Sequence, residues 1–311
     1  MTPKIFLKLK KLSTLLSIIR KLKIRTFYHL LLKSNEPMPI IARSDNEHGS
    51  FTGLTNDYLF QAAKEQGINE KHFEELAHLI IKPDWNVIDL GANIGTHSIL
   101  LSKLASDGRV FSFEPQSLTF SLLQNNLLLN SCKNVFSYRF AISNTEMNVI
   151  SMDSFSYHGE KINNGALGVS QNNLAGDLTI SKQLDVFNLP PISFIKIDIQ
   201  GSEVNAVRGA KETIMRHKPI MFVEIEEQRL RSFKSSSKEL IELLLGYGYT
   251  LFRVMTDYPC DHICVPKEKV GEFVLSVLEE FSYKVEKIEG EKVNLFFNRA
   301  KDQNYERIEI D

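Results

Sequence analysis

The sequence predicts a doubly wound α/β fold, a largely parallel sheet carrying helices on both faces in three layers. Two observations predict it. Short apolar runs of strand length alternate with amphipathic stretches of helix length between residues 69 and 245. The first of those runs ends in VIDLGANIG, a strand that delivers a carboxylate and two glycines to the start of a helix.

The elements follow in order. In the segment from Met1 to Lys33, Ile5, Leu9, Leu12, Leu16 and Ile19 recur at helical spacing among Lys and Arg, without an Asp or Glu. We assign residues 1–50 to a basic amphipathic extension, 51–300 to the main domain and 301–311 to a polar tail. Lys71 to Ile81 forms a helix stopped by Pro83. Asn86 to Leu90 is a strand, Gly91 to Gly95 a turn and Thr96 to Ala105 a helix. Gly108 leads into strand Arg109 to Glu114. Ser117 caps a Leu-rich helix to about Asn130, and Val135 to Ile142 is the third strand. A β-α-β-α-β order implies parallel strands joined by right-handed crossovers. Residues 143–184, rich in Asn, Gly and Ser, read as an insertion. Strand Ser193 to Ile199, helix Glu203 to His217, strand Ile220 to Ile225 and helix Ser237 to Leu245 restore the rhythm, and strands Tyr249 to Met255 and Val293 to Asn298 complete the sheet.

Bulk composition narrows the class. A net charge of −1 over 311 residues gives no reason to expect nucleic acid as partner. Three cysteines, Cys132, Cys260 and Cys264, are too few for a disulfide framework and suit a reducing, cytoplasmic setting. PCDHICVP brackets His262 with two of them. It reads as a surface loop with a half-buried thiol, since a metal site needs a fourth ligand and tighter spacing. No run is apolar enough to cross a bilayer. The cationic face of residues 1–33 suits either peripheral contact with anionic lipid or packing on protein.

The turn after the first strand carries the chemistry. Asp89 reaches the sheet's carboxyl edge, and Gly91 and Gly95 let the backbone approach a ligand. A dinucleotide fingerprint needs glycines where Asn93 and Thr96 stand, and a P-loop lysine is absent. A cofactor with an amino-acid end, a ribose and no phosphate fits better. Glu114, closing the strand FSFEP, stands where a ribose-binding acid belongs.

VIDLGANIG, FSFEP, SFIKIDIQGSEVNAVRGAKETI and KPIMFVEIE, in this order and spacing from about Asp57 to Asn298, resemble the FkbM family of class I methyltransferases. The resemblance implies a Rossmann-like sheet with a terminal antiparallel strand, S-adenosylmethionine as cofactor and methyl transfer to a hydroxyl of a sugar-like small molecule or glycan. It implies that Asp89, Gly91, Asn93 and Gly95 form the cofactor loop, that Glu114 binds ribose, and that Asp198 and Glu203 mark the active-site edge. The family often carries Glu where this chain has Gln200.

An acceptor hydroxyl must be lined up behind the methyl and lose a proton, so an acid or histidine at the carboxyl edge is expected. Asp198 at a strand end ranks first, then Glu203 at a helix start, then Glu226, which alternation places on one face with Glu224, then His158 in the insertion. His97 reads as structural or cofactor-adjacent. No spacing demands a metal, and the insertion is a candidate acceptor lid. Two other classes compete: a nicotinamide-dependent oxidoreductase, which lacks its Tyr-x-x-x-Lys pair here, and a non-catalytic membrane-associated binding protein.

Overall fold

A computed structural model describes residues 41–68, 70–152 and 177–288, with the backbones of strands 293–298 and 305–310. It opens with an antiparallel hairpin, β1 (Ile41–Asn46) and β2 (Gly49–Leu54). Asp57 caps helix α1 (Tyr58–Gln66), its carboxylate accepting from the N–H of Leu59 at 2.9 Å and of Phe60 at 3.4 Å. Such a cap contributes about 1 kcal/mol. Helix α2 (Lys71–Ile80) buries Phe73, Leu76, Ala77 and Ile80, one stripe at i, i+3, i+4 and i+7.

The chain then alternates through β3 (Val87–Leu90), α3 (Thr96–Leu104), β4 (Val110–Phe113), α4 (Ser117–Leu129) and β5 (Val135–Tyr138). Three small strands follow, β6 (Ala141–Ile142), β7 (Val149–Met152) and β8 (Asp177–Lys182). Next come β9 (Phe194–Ile197), α5 (Glu203–Gly209), α6 (Lys211–His217), β10 (Ile220–Glu224), α7 (Glu227–Ser232), α8 (Ser237–Gly246) and β11 (Tyr249–Val254). The described chain closes with β12 (Asp261–Pro266), α9 (Val270–Phe273), β13 (Val285–Lys287), β14 (Val293–Asn298) and β15 (Tyr305–Ile310).

Eight of these strands form one sheet in the order β13-β11-β12-β10-β9-β3-β4-β5. It is parallel from β10 to β5, and β12 runs antiparallel between β10 and β11. Strands β3, β4 and β9 are buried throughout, as strands covered on both faces must be. On one face Ile88, Ile197 and Val223 pack against Val204, Val207 and Leu240 of α5 and α8. On the other, Val87, Phe194 and Phe222 pack against Phe73, Leu76 and Leu101 of α2 and α3. Full burial of such a side chain is worth about 1.5–3 kcal/mol, and these two layers set the sheet's carboxyl edge in place. The doubly wound, three-layer architecture is the one the sequence predicts.

Several local expectations are corrected. The third strand does not run unbroken to Ile142. It stops at Tyr138 because Arg139 turns to Asp177 Oδ1 at 3.0 Å and the Leu178 carbonyl at 2.8 Å, and β6 joins a separate sheet ordered β6-β8-β7. The helix from Glu203 to His217 breaks at Ala210. There Gly209 presses on the chain leaving β6, where a Cβ would lie 1.9 Å from the Ser143 carbonyl. Ser117 is not a cap; Gln116 holds that position, and the Ser117 N–H donates to Asp177 of β8. PCDHICVP is not a surface loop: Asp261–Pro266 form β12, entered by a turn at Pro259 and Cys260, and Cys260 and Cys264 are both buried and free. Val293–Asn298 pairs with β15, which takes in residues 305–310 of the expected tail, while β12 and β13 complete the large sheet. The basic segment 1–33 lies outside the described residues. No helix among the described residues is long and apolar enough to cross a membrane.

Candidate active site

The turn after β3 is built from inside out. Asp89 is fully buried, and its Oδ2 accepts from Ser98 Oγ at 2.6 Å. Its Oδ1 has no hydrogen-bond partner among the described residues. Gly91 takes φ 83°, and a Cβ there would lie 1.8 Å from the Asp198 carbonyl, so only glycine fits. Asn93 takes φ 50° and steadies itself by accepting from the Ile94 N–H at 2.8 Å. Gly95, at φ 95°, begins α3 without a side-chain cap. Glu114 clamps the turn: Oε2 accepts from the Asn93 N–H at 3.0 Å and Oε1 from the Gln116 N–H at 2.9 Å. Burial pushes Glu114 up to about 7 despite those two bonds. Asn126 of α4 donates to the Ile94 carbonyl at 2.8 Å and to the Thr52 carbonyl at 3.1 Å, tying this turn to the β1–β2 hairpin.

A second turn follows β9. Gln200 takes φ 57° and Gly201 φ 105°. The Glu203 carboxylate, 2% exposed, accepts through Oε1 from the N–H of Ile199 at 3.2 Å and of Gly201 at 3.0 Å. Its Oε2 is unpartnered among the described residues, and burial pushes the group up to about 7.

Between the turns lies a row of charges. Register sets Asp89 beside Lys196, and Glu224 beside Asp261. Lys196 is 1% exposed and donates to Asp198 Oδ2 at 2.9 Å, with the Phe73 ring 5.9 Å away. Gln200 Nε2 donates to Asp198 Oδ1 at 2.9 Å and to Glu224 Oε2 at 3.2 Å. Burial alone would raise Asp198, but the Lys196 ammonium and these hydrogen bonds hold it down at about 2. Burial, with Asp198 and Asp261 nearby, raises Glu224 well above the carboxylate range, so it holds a proton beside ionised Asp198. His72 Nε2 lies 2.7 Å from Asp261 Oδ2. Burial pushes His97 down to about 3, which keeps it neutral.

A cavity of about 290 Å³ opens on the opposite face of the same edge, lined by Gly91, Phe113, Phe140, Ile150, Ile199 and Asn205 among others. Volume and apolar lining are those of a small-molecule site.

The structure therefore brings Asp89, Gly91, Asn93, Gly95 and Glu114 together at one turn and sets Asp198 against it. Glu203 lies beneath the second turn rather than in the open edge. Glu226 stands at the start of α7, 3.4 Å from Arg229 and bonded by the Tyr258 hydroxyl. His158 lies outside the described residues. The sequence reading overlooked Lys196, His72 and Asp261. A lysine in the middle of an otherwise apolar strand run was a usable signal for the first; nothing local marked the other two.

Comparison with known proteins shows the family. A model of the methyltransferase FkbM domain matches residues 89–251, just over half of the chain. The chain is similar to the 2-O-methyltransferase NoeI of Sinorhizobium fredii, 21% identical over 57% of this chain and 78% of that protein. It is also similar to methyltransferase 1 of Beauveria bassiana, 23% identical over 40% of this chain and 57% of that one. The crystal structure of methyltransferase FkbM from Methylobacillus flagellatus aligns at 21% identity and a TM-score of 0.42, covering 59% of this chain and 44% of that one. The match thus spans little more than half the length of the fungal relative. With its glycine turn, second-strand acid and sheet edge all inside or bordering the matched region, the chain belongs to the FkbM methyltransferase domain family.

Proposed function

We propose that this chain transfers a methyl group from S-adenosylmethionine to a hydroxyl of a sugar-like small molecule or glycan. One observation carries the reading: the sealed Asp89 has a carboxylate oxygen without a donor, beside a turn that admits no Cβ at Gly91. An unsatisfied buried acceptor is unfavourable by about 1–3 kcal/mol, so the position calls for a cationic or N–H-bearing ligand. The ammonium of the donor has that chemistry. A carboxylate offers about four acceptor positions, and two of Glu114's are used by the turn, which leaves room for a ribose diol. The apolar cavity suits a flat base. On this reading Asp89, Gly91, Asn93, Gly95 and Glu114 hold the cofactor, which supplies an electrophilic methyl group.

The chain's own residues then bind and orient the acceptor. Asp198, kept ionised by Lys196, orients the acceptor by accepting from hydroxyls other than the one that reacts; with so low a proton affinity it orients rather than deprotonates. Glu203 shapes the turn beneath the acceptor. Glu226 is a further candidate at this edge; the 143–184 insertion is the candidate lid, and His158 within it lies outside the described residues. The relative named as a 2-O-methyltransferase supports oxygen as the atom methylated. Residues 1–33 would rest on the cytoplasmic face of an anionic membrane.

Isothermal titration tests the cofactor: S-adenosylhomocysteine binds and NAD does not, and the reverse result overturns the reading. Incubation with methyl-labelled donor and mixed oligosaccharides yields products one methylene heavier. Asp198→Asn loses at least ~10-fold in kcat with S-adenosylhomocysteine affinity held; an undiminished rate removes Asp198 from its role.

A further inference from the structure

We infer that His72, oriented by Asp261, takes the proton of the acceptor hydroxyl; the inference rests on the methyl-transfer reading above. The two residues are 189 positions apart and meet at 2.7 Å. His72 is the second residue of α2, and Asp261 opens β12, paired with Glu224 at the carboxyl end of β10. The dyad therefore stands at the same sheet edge as Asp198, two strands along from β9. The imidazole is held on both sides, its centroid 5.8 Å from the Phe222 ring and 5.7 Å from the edge-on Tyr283 ring. Its side chain keeps 12% exposure and that of Asp261 13%, so the pair borders the open edge rather than the core. Asp261 engages Nε2, which leaves Nδ1 as the ring's other polar atom. A carboxylate fixing one ring nitrogen so that the other can work is the arrangement general-base catalysis needs.

The remaining titratable groups along this edge are committed elsewhere. Asp198 is ion-paired with Lys196 and bonded by Gln200. Glu224 holds a proton beside it. Glu203 closes its own turn. His97, against the Phe73 ring at 4.6 Å, is kept neutral by burial. The titratable groups near His72 are Asp261 of β12, Glu70 just ahead of α2, Lys196 of β9, and the neutral imidazole of His97 on α3. Burial and Lys196 work against charge on the ring, but the bond to Asp261, with Asp261 and Glu70 as counter-charges, outweighs them and raises His72 from its ordinary value.

In the step itself the acceptor O–H bond breaks and an O–CH3 bond forms. The donor's C–S bond breaks with its electron pair returning to sulfur, which becomes a neutral thioether. The proton goes to His72 Nδ1, directly or through one water, and Asp261 stabilises the resulting imidazolium.

The test uses the full chain with S-adenosylhomocysteine present. Proton NMR titration of the ring signals shows a histidine titrating above 6.5 that is absent in His72→Gln and moves down by about one pH unit in Asp261→Asn. With labelled donor and the oligosaccharide fraction the wild type methylates, His72→Gln lowers kcat by ~10²–10⁴-fold while acceptor KM stays within about threefold. Activity rises with pH as His72 loses its proton, and Asp261→Asn shifts that limb to lower pH. A His72→Gln enzyme of unchanged kcat, or a limb unmoved in Asp261→Asn, overturns the inference. A wild type that binds no S-adenosylhomocysteine and transfers no label fails the underlying reading instead, before any variant is made.

Discussion

Two turns of similar build stand side by side at the sheet's carboxyl edge. Each bends through a non-glycine residue at positive φ, Asn93 in one and Gln200 in the other, and each is held by a buried glutamate that accepts two backbone N–H groups. The difference is where the polar groups are directed. The clamp of the first turn comes from the next strand, Glu114, and Asn93 folds back on its own turn, so Asp89 is left with an uncommitted oxygen. The clamp of the second is local, Glu203, and Gln200 reaches outward to fasten Asp198 to Glu224. Both turns keep one buried carboxylate oxygen without a partner among the described residues, Asp89 Oδ1 and Glu203 Oε2, but only in the second does the positive-φ side chain fasten two other carboxylates of the edge together.

The largest expected effect comes from adding one carbon to each. Gly91→Ala places a Cβ against the Asp198 carbonyl at positive φ, and Gly201→Ala places one 2.6 Å from the Arg229 carbonyl. Each costs about 1–3 kcal/mol from backbone strain alone, and thermal melts fall by at least several degrees in both. Calorimetry separates them: Gly91→Ala loses S-adenosylhomocysteine binding, whereas Gly201→Ala keeps the wild-type affinity within about threefold. Equal loss in both would erase the distinction.

Exchanging the clamps gives a smaller effect. An amide accepts at one end only, so Glu114→Gln, whose two N–H groups go to different oxygens, leaves one of them facing an NH2 group at about 1–3 kcal/mol, whereas Glu203→Gln can keep both of its N–H groups on the remaining oxygen. Glu114→Gln raises the dissociation constant for S-adenosylhomocysteine by roughly 10–100-fold, and Glu203→Gln leaves it unchanged.

The two glutamates also predict a common pH dependence. Both are raised from 4.5 to about 7 in the folded chain. Between these values the folded state holds protons that the unfolded state has released. The stability they contribute is complete below about 4.5 and is lost as pH rises through about 7. Melts recorded from pH 5 to 8 therefore fall with pH, and Glu203→Gln flattens the slope. The smallest effect belongs to Gln200→Glu. It replaces the bridging donor with a third carboxylate, lowers the melting temperature by a few degrees above pH 7, and loses that penalty in acid.

The same contrast explains what the sequence disclosed. The first turn was legible because its parts are close together or regularly spaced: Asp89, Gly91 and Gly95 in one stretch, Glu114 at the end of the next strand. The long apolar strands and the stripe on α2 were legible for the same reason. The edge beyond β9 was not. Lys196 reads as one charge in a strand until register sets it beside Asp89, and the His72–Asp261 contact needs two distant segments to meet. β12 was read as a loop because prolines flank a run of only six residues and a strand inserted out of order leaves no periodic trace. The breaks at Arg139 and Ala210 depend on Asp177 and on the Ser143 carbonyl, both supplied by the insertion.

That out-of-order strand has a consequence for biosynthesis. β12 lies between β10 and β11 yet leaves the ribosome after both. Until residue 266 is available, two apolar strands present bare hydrogen-bonding edges to each other across a gap, a state open to wrong partners. Asp261 arrives with the strand that seals the gap, so the turn after β3 is synthesised well before the His72–Asp261 pair can close. A nascent chain halted before residue 261 would lack the partner of His72.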